Sequence, residues 1–599
     1  MNQLPMTTRP ELSGDFGMVA STHWLASSVG MSVLERGGNA ADAAVAIAFV
    51  LQVVEPHLNG PGGEAPILVW SPANEQVRVV AGQGVTPAAA DLEAFAALDL
   101  DLVPGTGLLA ATVPGAFGAW LRLLSEWGSW PLRDVLEPAI GYAERGWPML
   151  PSITHTIDTV ARTFTEDWPS SADTWLSGGA APAPGTRMQN PRLAVTWRRL
   201  LAEAEAAGGS REAQIEAGRR CFYQGFVAEA IDAHCRIPVR DSSSTLHAGL
   251  LTGADLADWN CPLEEPVSLD YAGLTVFKTG PWGQGPVFLQ QLALLSGFDL
   301  AAAGHLSADY IHTVVEASKL AFADREAWYG DPDVVDVPIS ELLSPSYTSD
   351  RRTLISSQAS YDLRPGSPGG RSPVLPEWPL SVAQIGQFAT TGAGEPTVAA
   401  NGATRGDTCH LDVIDRDGLT ISATPSGGWL QSSPTVADLG FCLGTRAQMA
   451  WLQPNLASSL RPRSRPRTTL SPSLALKDGR PYLAFGTPGG DQQDQWSLVF
   501  FLAHLHSGLG LQAAIDAPNW HSTHFPSSFW PRDAEPAGLV LEDRIDPAVV
   551  AELAARGHAV SVVDGWSLGR LSAVGRDTRT GFLRGAANPR GSQGYAVGR

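Results

Sequence analysis

The 599-residue chain sets 61 Asp and Glu against 41 Lys and Arg, a formal net charge of -20, with 44% hydrophobic and 17% charged residues. An acidic surface of that size repels phosphate backbones and anionic lipid, so neither nucleic acid nor a membrane surface is an expected partner. By length alone the chain could hold roughly two to four domains. The N-terminus lacks the apolar core of a secretory signal, and the longest apolar run, residues 43–54, is too short to span a bilayer. Five scattered cysteines (Cys221, Cys235, Cys261, Cys409, Cys442) offer neither a disulfide framework nor zinc spacing, and the expected setting is the cytoplasm.

In chain order, residues 28–35 and 40–54 carry helix formers on either side of Gly37-Gly38-Asn39, where Asn39 can cap the second helix. Residues 65–70 and 77–81 read as short strands, and 116–127 and 132–146 return to helical spacing. Over 307–329, Ile311, Val314, Val315, Leu320 and Phe322 mark the apolar stripe of a long helix. From Leu363 to Asp407 the chain turns Pro- and Gly-rich, then small and polar, and reads as a mobile segment. A hairpin follows, 410–414 and 419–424 about Asp415-Arg416-Asp417-Gly418. A second hairpin joins 474–476 to 482–485 through Lys477-Asp478-Gly479-Arg480.

A flexible arm entering Gly406-Asp407-Thr408 at the head of a strand has a mechanistic reading. A threonine hydroxyl is a poor nucleophile without a base beside it. Cutting the preceding peptide bond gives Thr408 a free α-amine, which is such a base. Taken alone, Gly-Asp-Thr is more simply a loop threonine entering a strand.

The wider series of motifs decides between these. Gly37-Gly38-Asn39-Ala40-Ala41-Asp42-Ala43-Ala44 is followed by Val54-Glu55-Pro56, Gly60-Pro61-Gly62-Gly63 and Thr112-Val113-Pro114-Gly115. Then come Glu316-Ala317, Ala323-Asp324-Arg325 and Tyr329-Gly330-Asp331-Pro332. Thr408-Cys409-His410, Asp415-Arg416-Asp417-Gly418, Leu470-Ser471-Pro472 and Gly486-Thr487-Pro488-Gly489-Gly490 complete the order. The chain resembles the gamma-glutamyltransferases, members of the Ntn-hydrolase superfamily. The resemblance implies an α/β (α+β) fold, a four-layer αββα sandwich. It also implies a precursor cut into a large subunit, 1–407, and a small one, 408–599, interleaved in one fold. It leaves room for a homodimer of that processed pair. Thr408 takes the nucleophile's place, Gly489 and Gly490 that of the oxyanion-hole glycines, and Ser426 that of a second threonine supporting the nucleophile. Thr468 and Thr469 replace a serine pair that holds the substrate carboxylate.

Other positions depart from the family. Leu92 stands where an arginine grips the glutamyl α-carboxylate. Gln448-Met449-Ala450-Trp451 offers no carboxylate where an acidic residue binds the α-amine, and Trp451 lies at that place. Gly428 replaces an asparagine. Each charge-assisted hydrogen bond is worth roughly 1.5–3 kcal/mol, so losing two weakens a γ-glutamyl substrate by about two to four orders of magnitude. Arg461, Arg463, Arg465 and Arg467 read first as a solvated basic loop, with substitute carboxylate anchors as the alternative. The polar run from Asp491 to Trp496 reads as helix capping, or as bringing Asp491 or Gln492 to line the pocket. The histidines at 504, 506, 521 and 524 lack an accompanying carboxylate motif, so neither metal nor cofactor is expected.

The expected activity is acyl transfer from a small amide or acyl substrate through an ester on Thr408, to water or an amine. Glutathione-like compounds would be the substrates if the glutamyl anchors had been kept. One alternative is an altered substrate, as in an acylase or a carbon–carbon bond hydrolase of the lincomycin and pyrrolobenzodiazepine type. The other is a non-catalytic binding protein on the same scaffold.

Overall fold

The computed structural model describes residues 6–377 and 408–599. Two antiparallel sheets of seven strands form its centre. The first runs Leu12–Gly14, Leu583–Ala587, Ser572–Arg576, Arg480–Gly486, Ser473–Lys477, Leu274–Lys278, Val267–Tyr271. The second runs Tyr595–Gly598, Gly17–Ser21, Leu411–Asp415, Thr420–Ala423, Ala65–Ser71, Gln76–Gly82, Leu263–Glu264. Both sheets mix strands from before residue 378 with strands from after 407. Leu411–Asp415, for example, lies between Gly17–Ser21 and Thr420–Ala423.

Side-chain alternation along these strands builds two kinds of core. Leu411, Val413, Ile421 and Ala423 point to one face and join the helices. Ile414 points to the other face and meets Met18, Ala20, Ala484, Val574 and Leu583 between the sheets. Leu68, Trp70, Val79, Leu474 and Leu476 continue that inter-sheet core. Because both faces are covered, a central strand such as Ala65–Ser71 reads as a near-continuous apolar run.

Helices Trp24–Glu35, Ala40–Val54 and Ala116–Trp127 cover the second sheet. Gly285–Leu295 and Gln493–His506 cover the first, with Ala308–Trp328 packed behind Gly285–Leu295. The result is a four-layer αββα sandwich. Ala40–Val54 is buried all round, as a helix apolar on every face must be. A capping box opens it: Asn39 Oδ1 accepts from the Ala41 and Asp42 N–H groups at 2.9 and 3.1 Å, and Asp42 accepts from the Asn39 N–H at 3.0 Å. No helix among the described residues is long and apolar enough to cross a membrane.

The expected elements can be compared directly. The long helix spans Ala308–Trp328, with Ser307 as its N-cap. Both hairpins form, and Asp478 (φ 51°) and Gly479 (φ 73°) make the left-handed pair that a two-residue hairpin turn demands. The Pro- and Gly-rich segment departs from expectation over 363–377, which is irregular but held in place. There the Gly366 N–H donates to Asp324 at 2.7 Å, and Trp328 Nε1 donates to the Gly366 carbonyl at 3.1 Å. These partners lie far away in sequence, so local composition gave no sign of them. Residues 378–407, including Asp407, lie outside the described residues.

Candidate active site

Thr408 is buried three residues ahead of the strand Leu411–Asp415, in a bridge with Ser426. Its Oγ1 donates to Ser426 Oγ at 3.3 Å. From the layer beyond the other sheet, Gln493 Nε2 donates to the same Thr408 oxygen at 3.4 Å. The hydroxyl therefore lies where the ends of the two sheets meet the first turn of Gln493–His506.

Gly489 and Gly490 lead into that helix with φ 129° and 54°. The left-handed backbone favours glycine, and at Gly489 an added Cβ would overlap the Trp496 ring. Neither glycine donates its N–H in a hydrogen bond among the described residues. Two free N–H groups at a helix N-terminus form a site for a developing negative charge.

The Gly60-Pro61-Gly62-Gly63 motif acts by close approach. Gly428 has φ 65°, and a Cβ there would lie 2.9 Å from the Gly63 nitrogen and 3.0 Å from the Cys442 carbonyl oxygen. Glu64 and Ser426 exchange backbone hydrogen bonds of 2.8 and 2.9 Å, so this loop fixes Ser426. The Gly115 and Ala116 N–H groups donate to the Gly63 carbonyl at 2.8 and 2.9 Å, which gives the Thr-Val-Pro-Gly motif its place. The Glu64 carboxylate forms a buried ion pair with Arg446. Burial pushes the Glu64 carboxyl up, and Arg446 opposes the rise. The Arg446 guanidinium lies 6.0 Å from both the Trp429 and Phe529 ring centres, and those rings cluster with Met449.

The remaining candidates divide. Thr468 is fixed in backbone pairing with Trp282 and Gln284, whereas the buried Thr469 Oγ1 has no hydrogen-bond partner among the described residues. Leu92, half-buried, packs on the apolar cluster of Phe95, Ala447, Ala450 and Leu460. Trp451 is buried against that region under the Arg532 guanidinium, 4.4 Å from its ring centre. Asp491 neither caps the helix with its side chain nor stands free: its carboxylate pairs with Arg325 and accepts from the Ser528 N–H and Oγ at 2.8 and 2.6 Å. The arginine tract is not a solvated loop. Arg465 is buried on Asp331 and Glu264, Arg467 is buried on Glu326, and Arg461 donates to the carbonyls of residues 456, 457 and 459. Only Arg463 of the four is exposed, beside Asp258 at 3.3 Å. Alternate spacing in an extended, Pro-broken stretch hid which arginines faced inward.

Sequence reasoning passed over Gln493, Glu64 and Arg446. The available signal was a polar run, Asp491-Gln492-Gln493-Asp494-Gln495, opening a helix that continues through the apolar stretch 498–503. His312, Glu316 and His558 form a group with metal-ligand atoms within 4.8 Å of one another. However, His312 Nδ1 lies 2.9 Å from His558 Nε2, and Glu316 pairs with Lys319 and Arg364 at 2.6 and 3.2 Å. Two cations on the carboxylate oppose a third charge of the same sign. His504 and His506 are hydrogen-bonded to Tyr482 and Tyr271.

The gamma-glutamyltranspeptidase profile matches residues 26–598. The chain is 32% identical to the glutathione hydrolase-like YwrD proenzyme of Bacillus subtilis (strain 168), over 97% of this chain and 98% of that one. The solved structure of LmbA2991HD superposes with a TM-score of 0.92 at 56% identity, covering 99% of this chain and all, 100%, of its own. The cephalosporin acylase from Bacillus halodurans superposes with a TM-score of 0.81 at 28% identity, covering 100% and 98%. With the motifs in order, the αββα sandwich and the profile match across nearly the whole length, this chain belongs to the gamma-glutamyltranspeptidase family, a lineage of Ntn hydrolases and acyltransferases.

Proposed function

We propose that the chain cuts itself between residues 407 and 408 and then uses Thr408 as an N-terminal nucleophile. The observation that carries this is the placing of a buried threonine hydroxyl in contact with the helix whose two preceding glycines donate their N–H groups to nothing among the described residues. In the mature enzyme the α-amine of Thr408 takes the hydroxyl proton as Oγ1 attacks the acyl carbon. The Gly489 and Gly490 N–H groups hold the tetrahedral oxyanion, the leaving group departs with a proton, and water or an amine releases the acyl group from the ester. Residues 1–407 and 408–599 would be the two subunits of one fold, and a free pair could associate with a second copy. Widely scattered cysteines suit a reducing, cytoplasmic setting.

The acyl group favoured is not γ-glutamyl. Leu92 packs on apolar side chains, Trp451 lies under the Arg532 guanidinium where no carboxylate is offered to an amine, and the buried Arg446 is already paired with Glu64. Beside that paired arginine the buried side chains of Trp429, Met449 and Phe529 form an apolar cluster. A site without a partner for a charge discriminates against that charge. An acylase-type substrate with an apolar acyl chain fits better, in keeping with the likeness to a cephalosporin acylase.

N-terminal sequencing of purified protein should find a fragment beginning at Thr408, and Thr408→Ala should stay one chain. The processed enzyme should hydrolyse an apolar N-acyl anilide faster than γ-glutamyl-p-nitroanilide, whose turnover should be slow. Active protein with only its original N-terminus would remove the nucleophile reading. Family-level rates on the γ-glutamyl anilide would remove the acyl preference alone.

A further inference from the structure

We propose that Gln493 is a second catalytic side chain, donating a hydrogen bond to the Thr408 hydroxyl oxygen in self-cleavage and in acyl transfer. The inference rests on the reading of Thr408 as nucleophile. Gln493 is fully buried in the first turn of Gln493–His506. The orientation of its amide is fixed by a neighbour. Oε1 accepts from the Ser471 N–H at 3.0 Å, so the NH2 end is the one that faces Thr408, 3.4 Å away. A flipped amide would set two donors against each other at Ser471.

Ser471 is held in turn. Its Oγ donates to Asp494 Oδ1 at 2.6 Å and accepts from Lys278 Nζ at 2.7 Å, and Lys278 pairs with Asp494 at 2.9 Å. Burial pushes the Lys278 ammonium down and the Asp494 carboxyl up, and their attraction opposes both shifts. This fully desolvated pair therefore fixes the serine, the serine fixes the amide, and the amide reaches the nucleophile.

A hydroxyl oxygen has two lone pairs and one proton. In Thr408 the proton is directed to Ser426 Oγ and a lone pair accepts from Gln493. In self-cleavage the bond from Oγ1 to the carbonyl carbon of residue 407 forms while Oγ1 gives up its proton. The bond from that carbon to the Thr408 nitrogen then breaks, and the nitrogen gains a proton. Water next attacks the ester, its hydroxyl goes to the carbonyl carbon, and its proton returns to Oγ1. At both moments charge builds on Oγ1, where a fixed donor stabilises it. An amide does not titrate near neutral pH, so Gln493 stabilises the alkoxide and takes no proton.

Self-cleavage is the cleaner test, because the uncut chain has no Thr408 α-amine to titrate. Full-length labelled chain from cell-free synthesis would be shifted into buffers from about pH 5 to about pH 9 and the cut fragments followed over time. Gln493→Leu should cleave about 10–100-fold more slowly, the worth of one hydrogen bond to a charged group. Gln493→Glu keeps an acceptor for the Ser471 N–H but presents a carboxylate to Thr408. It should be slow at neutral and alkaline pH and recover toward wild type as acidification turns the carboxylate into a donor. A purely structural glutamine gives no such recovery. If the Leu variant does not fold, the Glu variant decides alone. Wild-type rates in the variants, or a Glu variant whose rate does not rise on acidification, overturn the proposal. A wild-type chain that never cuts before Thr408 overturns the nucleophile reading and this proposal with it, and is told apart by its wild-type control.

Discussion

Gly490 sits at φ 54° with its N–H unbonded among the described residues, so a β-branched residue there meets two penalties at once. The left-handed backbone costs about 1–3 kcal/mol for a side chain that rarely adopts it. A side chain beside the free N–H also obstructs the developing oxyanion. Gly490→Val should lower kcat about 10²–10³-fold, as loss of one oxyanion donor does. A melting curve should still show a folded protein, and unchanged turnover in that protein would reduce the glycines to a turn. At this scale the sequence carried unequal information. Thr408 and the glycine pair stand out, because the roles proposed for them allow few residue types. Gln493 does not, because a buried glutamine and a surface glutamine look alike until the Ser471 N–H and the Lys278–Asp494 pair are placed around it. The partner of Asp491 is hidden for the same reason: Arg325 is remote in sequence.

Ala40–Val54 shows what an element needs when its surface is buried all round and apolar but for Asp42 and Gln52. With no polar face to set its register, its N-terminus carries the positioning. Asn39 and Asp42 cap it reciprocally, Asp42 also accepts from the Ser129 and Trp130 N–H groups at 2.8 and 3.0 Å, and Asp415 accepts from the Ala40 N–H at 2.9 Å. Asn39→Ala should therefore cost about 1 kcal/mol of stability, read as a lower urea midpoint at unchanged slope. Activity at moderate temperature should hold, since Asn39 lies at the far end of the strand that Thr408 precedes. Helices and hairpins of this kind were legible because periodicity, caps and turn residues are local. Residues 363–377 were not, because Asp324, Arg351 and Trp328 hold them from outside the segment.

At the scale of the whole molecule, neither stretch of chain on its own completes a sheet. Leu411–Asp415 needs Gly17–Ser21 on one side, and Leu274–Lys278 needs Ser473–Lys477. After cleavage the two pieces should run as one species in gel filtration and as two bands on a denaturing gel. Co-elution should withstand high salt, because apolar surface between the sheets, not exposed ion pairs, joins them. Pieces that part under native conditions would contradict this account of the sandwich. The fold class was legible from the ordered motifs. The pairing of strands across some hundreds of residues was not, since no local pattern records a partner.

The position of Leu411–Asp415 in the middle of its sheet has a consequence for the lifetime of the enzyme. A chain cut just ahead of that strand, as proposed, would fold as one molecule but, once opened, would have to refold as two, a search that depends on concentration and begins without the original connectivity. Unfolding then becomes a one-way passage, and two samples of identical composition would differ according to whether they were cut before or after folding. The working lifetime of such a molecule is governed by the height of its unfolding barrier rather than by an equilibrium it can revisit.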